Sequence, residues 1–125
     1  MDIAKRRKIM EKMVSSVMVV FLVVCAVGVS WAHPPSSIEI TYDPQEKVVT
    51  AVITHPVQNP ATHYINKVDI GLNGQEVIAH SLGRQDNDMT QTVSYKIPDA
   101  MPGDTLSVEG YCNINGKREV KVFVQ

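Results

Sequence analysis

The sequence predicts an all-β fold, an immunoglobulin-like antiparallel β-sandwich of about seven strands, preceded by an N-terminal hydrophobic signal helix. Three observations predict it. Short β-branched runs with period-two alternation recur at regular spacing after Ala32, turn dipeptides separate them, and no stretch after Ala32 carries a helical period. The stretch 33–125 holds 93 residues, enough for one hydrophobic core and too few for two.

At the N-terminus, Lys5, Arg6, Arg7, Lys8 and Lys12 precede a 19-residue run, 14–32, that contains no charge. Ser30 and Ala32 set small residues at the two positions a signal peptidase inspects, so residues 1–32 read as a secretory signal cleaved after Ala32. The competing expectation is an uncleaved membrane anchor with its basic end in the cytoplasm, because the run approaches the roughly 20 residues that span a bilayer. Both expectations put the remainder in the periplasm or another extracytoplasmic space. Cys25 follows the bulky Val24, which argues against a lipidated cysteine.

The predicted strands follow in order over 37–42, 48–54, 64–72, 76–82, 91–97, 105–112 and 119–124. Asp43-Pro44 and Pro102-Gly103 supply turn chemistry, and Asn73-Gly74 and Asn115-Gly116, each between apolar alternations, are hairpin signals. Pro56 and Pro60 stiffen the connection between the second and third strands. The polar, acidic stretch 83–90 reads as an exposed loop. Beyond residue 32 there is a single cysteine and no tryptophan, so the disulfide and core tryptophan of true immunoglobulin domains are absent. Unpaired sheet edges would be the route to a homodimer.

Charge excludes some partners. Residues 33–125 carry seven Lys or Arg against eleven Asp or Glu, a net charge of −4, which offers nothing to nucleic acid or an anionic membrane surface.

The candidate chemistry lies in Cys112 and three histidines, His33, His55 and His63. A lone cysteine in an oxidising compartment is inert core, a reactive thiol or a metal ligand. Cys112 shares its strand phase with Leu106, Val108 and Gly110, so it points inward at a strand end, and His55 continues the phase of Val49, Ala51 and Ile53. Imidazole and thiolate together suit iron, copper or zinc, whereas calcium and magnesium need clustered oxygens. Asp86, Asn87 and Asp88 have a calcium-loop composition but lack its glycine and closing glutamate. His80, in phase with Ile78 and Leu82, reads as a structural histidine. After signal cleavage His33 would carry a free amine, which with its own imidazole chelates Cu(II).

The order of these pieces, His33-Pro34-Pro35, then His55-Pro56, His63-Tyr64-Ile65 and Cys112-Asn113-Ile114-Asn115-Gly116, resembles the iron-binding domain of desulfoferrodoxin and superoxide reductase. The resemblance spans residues 33–116. It implies a mononuclear non-haem iron with histidine nitrogens in a plane and an axial thiolate, His33, His55 and His63 being equatorial and Cys112 axial. It also implies one-electron reduction of superoxide to hydrogen peroxide with an electron from a separate, unidentified donor. The chain departs from the family pattern at four places. Asn115 stands where the family has a fourth histidine, and Ala32 where it has a lysine that attracts superoxide. The connection from His55 to His63 is about two residues longer than the family's, and Lys117-Arg118 follow Gly116 in place of Leu-Trp. Two expectations follow. One is an exported superoxide-reductase-like iron protein, and the other a non-enzymatic accessory or interaction module of the same fold that binds copper or zinc, or no metal.

Overall fold

Period-two alternation becomes seven antiparallel strands in two sheets. The computed structural model describes residues 2–25 and 33–125; the predicted cleavage site at Ala32 and the end of the apolar run, 26–32, lie outside the described residues. The chain divides into two units, Met1–Trp31 and Ala32–Gln125.

The first unit holds helix α1, Ile3–Cys25. Its N-terminal half carries Lys5, Arg6, Arg7, Lys8, Glu11 and Lys12, so the uncharged part of the helix is 13 residues, 13–25. At the helical rise that part extends about 20 Å, against a hydrocarbon layer of about 30 Å. No helix among the described residues is long and apolar enough to cross a membrane, which corrects the expectation of an uncleaved anchor as a membrane contact.

The second unit contains β1 Ser37–Asp43, β2 Val48–Thr54, β3 Ile65–Leu72, β4 Gln75–Ser81, β5 Thr90–Lys96, β6 Thr105–Cys112 and β7 Lys117–Phe123. One sheet has the order β1-β2-β5 and the other β4-β3-β6-β7. Strand β6 alternates between half-buried and buried positions along its whole length, and β2 does the same, so each sheet turns one apolar face inward. Ile38, Val49, Ala51, Ile53 and Val93 from the first sheet join Ile65, Val68, Ile70, Leu106 and Val108 from the second in one buried cluster. Each fully buried aliphatic side chain contributes about 1.5–3 kcal/mol. A Cβ on Gly110 would sit 3.2 Å from Ile53 Cδ1, so the missing side chain in β6 is the space that Ile53 occupies.

The turns follow their residues. Leu72 pairs with Gln75 across a two-residue connection in which Asn73 (φ 53°) and Gly74 (φ 83°) both adopt the left-handed region, the requirement of a tight hairpin. The Asn115-Gly116 signal yields a wider hairpin. Tyr111 pairs with Lys117, the Cys112 N–H donates to the Gly116 carbonyl at 2.9 Å, and only Gly116 is left-handed. Asp43 Oδ1 accepts from the Gln45 and Glu46 amides and closes the first turn.

Candidate metal centre

The three histidines of the sequence motifs sit on segments just beyond strand ends, and the register brings those ends together. His33 precedes β1, His55 follows β2, and His63 precedes β3. Ser37 pairs with Thr54, and the Ser36 N–H donates to the Thr54 carbonyl at 2.8 Å, so the segment bearing His33 runs beside the one bearing His55. His63 is held by a local turn: the Asn59 carbonyl accepts from the Thr62 and His63 amides, while Asn59 Oδ1 accepts from the Ala61 amide.

His33, His55 and His63 each offer a ring nitrogen, and these atoms all lie within 4.8 Å of one another; among the described residues this is a group that can hold a metal ion. Ring centroids are 4.9 Å apart for His33 and His55, 5.3 Å for His33 and His63, and 4.9 Å for His55 and His63. Three imidazoles bound at about 2.0–2.1 Å on one face of a metal hold their centroids about 5 Å apart. Three corners of a square plane would instead put one pair opposite each other, with centroids about 6.5 Å apart. The nearly equal separations are those of a facial set.

Hydrogen bonding decides which nitrogen each ring can spare. Gln85 Nε2 donates to the His55 carbonyl at 2.8 Å and to the Asn87 carbonyl at 3.0 Å, which orients its amide. Its Oε1 therefore accepts, from the Ile65 N–H at 3.2 Å and from His55 Nδ1–H at 2.9 Å. In the neutral ring that leaves the lone pair on His55 Nε2, 3.2 Å from the His33 carbonyl oxygen; only a doubly protonated ring donates there. His33 Nδ1–H donates to the Pro34 carbonyl at 3.1 Å, which frees its Nε2 as well. His63 Nε2 is buried and has no hydrogen-bond partner. An orphaned buried nitrogen grouped with two further ring nitrogens is relieved by a cation, so the residues present fit a bound metal.

His63 is held below the usual imidazole value of 6.5, first by burial and then by the neighbouring His55 and His33. A lowered value keeps the ring neutral and ready for a metal near pH 7. Below pH 6.5 the unfolded chain takes up a proton at His63 more readily than the folded chain does, so stability falls as pH drops and is level above that value. Urea midpoints of the metal-free chain across about pH 5 to 8 are expected to show this slope, and His63→Gln is expected to flatten it.

Cys112 is where its strand phase puts it, inward and buried, but it is not one of the group of ligand atoms. The ladder explains this. Cys112, the last residue of β6, still pairs in the ladder with the core residue Ile65, the first of β3, whereas the three histidines lie outside the strands. The loop after it nevertheless abuts the site. Asn113 Oδ1 accepts from the Tyr64 amide at 2.9 Å and Asn113 Nδ2 donates to the Thr62 carbonyl at 2.9 Å, bracketing His63. Arg118 Nε donates to the Pro35 carbonyl at 2.6 Å and fixes the segment next to His33. His80 stands apart, half-buried, with Nδ1 2.7 Å from the Tyr95 hydroxyl, whose pKa burial pushes up to about 12.

Two contributors escape a reading of the sequence. Gln85 lies in the polar stretch 83–90, yet it is fully buried, so that loop is not wholly exposed. Asn113 is visible only as part of a motif. Neither has a spacing or composition that marks it.

No family model and no curated protein matches the chain. Among solved structures it is similar to a hypothetical protein from Pyrococcus horikoshii OT3, at 19% identity and a TM-score of 0.49, over 77% of this chain and 92% of that one.

Proposed function

We propose that this chain is an exported metal-binding module that holds a zinc- or copper-class ion on His33, His55 and His63 and serves as a non-enzymatic accessory or interaction domain. The observation that carries the reading is the facial triangle of imidazoles with its unpartnered, buried His63 Nε2. Three imidazole nitrogens within reach of one point suit zinc and copper. The two packed sheets and their order support an immunoglobulin-like β-sandwich as the scaffold. Export rests on the basic and then apolar residues before His33.

A second reading, an iron centre of the desulfoferrodoxin type that reduces superoxide, has one observation in its favour. The loop that follows Cys112 packs on both the His63 segment and Pro34, close to the imidazoles. Cys112→Ala separates the two readings. In the first, the variant binds zinc or Cu(II) with the affinity of the parent chain. In the second, anaerobically purified parent protein carries about one iron per chain with a visible thiolate-to-ferric band, and the variant loses that band. Parent protein that binds none of the three metals overturns both.

A further inference from the structure

Gln85 connects more of the centre than any histidine does. Its side chain is fully buried and engages four partners: the His55 ring, the His55 carbonyl, the Asn87 carbonyl and the Ile65 amide. It therefore ties the end of β2, in one sheet, to the start of β3, in the other. The loop that carries it is anchored on the same two regions. The His55 N–H donates to the Met89 carbonyl at 2.8 Å, the Val57 N–H to the Asp88 carbonyl at 2.8 Å, and the Gln85 N–H to the Pro60 carbonyl at 3.0 Å.

We propose that Gln85 is a positioning residue that locks His55 in the Nδ1-protonated tautomer and so commits Nε2 of that ring to the metal. The argument is one of donors and acceptors. Both carbonyls against the Gln85 Nε2 can only accept, so the amide cannot flip without setting oxygen against oxygen. With Oε1 fixed toward His55, the ring nitrogen it meets must carry the hydrogen. In the neutral ring the other nitrogen, Nε2, then carries the lone pair, on the side of the ring that faces the His33 carbonyl 3.2 Å away. Outer-shell partners of this kind set ligand tautomer and orientation in metal sites, and their loss costs about 10–100-fold in affinity. A buried amide does this without adding charge, which leaves the metal's own charge uncompensated by the outer shell.

This inference rests on the metal-binding reading, and two measurements on the full chain keep the two apart. The first is nitrogen-15 NMR of the imidazole rings in the metal-free protein above pH 7, where the ring shifts read the tautomer directly. Nδ1 of His55 is expected to be the protonated nitrogen and Nε2 the bare one. The second is Zn(II) titration of Gln85→Met and Gln85→Leu, which keep most of the bulk and remove the hydrogen bonds. Both are expected to mix the tautomers and weaken Zn(II) binding by about 10–100-fold. A bare Nδ1 on His55 in the parent protein overturns the proposal, as does Gln85→Met with tautomer and affinity unchanged. If the variants fail to fold, the ring shifts of the parent protein still decide it. A parent chain with the expected tautomer that binds no Zn(II) sinks the metal reading and leaves the lock standing.

Discussion

Replacing His55 with alanine is expected to abolish high-affinity metal binding and to destabilise the β domain together. His55 is fully buried and its ring stands in the triangle with His33 and His63. Losing even an outer-shell partner costs about 10–100-fold in affinity, so losing the ligand itself should cost more than about 100-fold. The stability loss has two sources. Truncating a buried ring leaves a cavity, and Gln85 Oε1 keeps only the Ile65 amide as a donor. Together these amount to roughly 3 kcal/mol, or about 12–24 °C in Tm for a domain of this size. Thermal melts and Zn(II) titrations of the variant check both effects. His80→Ala is the control, since that ring is outside the group and pairs with Tyr95; it should leave metal affinity unchanged.

The second large effect is at Gly116, far from any ligand in type but not in space. Its φ is +90°, and a Cβ there would lie 2.9 Å from Pro34 N and 2.9 Å from Pro34 Cβ. Those are backbone and ring atoms that cannot swing aside. Gly116→Ala must therefore pay left-handed strain of about 1–2 kcal/mol and also push Pro34, and with it His33, out of place. The expected result is a loss of about 2–3 kcal/mol in stability and at least about a tenfold drop in Zn(II) affinity. Gly74→Ala separates the two causes. Gly74 has φ +83° but open space around its Cβ position, so its alanine variant should lose stability through strain alone and bind metal like the parent.

Local rules carried much of this fold into the sequence. Asn73-Gly74 is a hairpin because two left-handed residues are needed between paired strands, and only such residues adopt that conformation cheaply. The face that His55 shares with Val49, Ala51 and Ile53 followed from counting in twos, as did the inward aim of Cys112 from Leu106. Strand boundaries moved by a residue or two, as at β7, which begins at Lys117 because the wider hairpin lets the charged pair Lys117-Arg118 join the ladder.

What was not legible depends on long-range placement. The stretch 83–90 looks solvated because its residues are polar, and composition cannot reveal that one glutamine turns inward to satisfy a histidine and three backbone groups. The relative height of Cys112 and the imidazoles is set by the β3–β6 register, which pairs Cys112 with Ile65 and leaves the histidines beyond the strand ends. Likewise, the meeting of the rings depends on the β1–β2 register and on the turn at Asn59, which no local sequence feature announces.

The central claim is that three imidazoles share one ion. Calorimetric titration of the full metal-free chain with Zn(II) at neutral pH tests it most directly, run alongside a variant with His33, His55 and His63 all replaced by alanine. The account predicts one equivalent bound with a Kd of about 1 μM or tighter, and no such binding in the variant. An absence of stoichiometric binding by the parent chain, or the same isotherm from the variant, would contradict it.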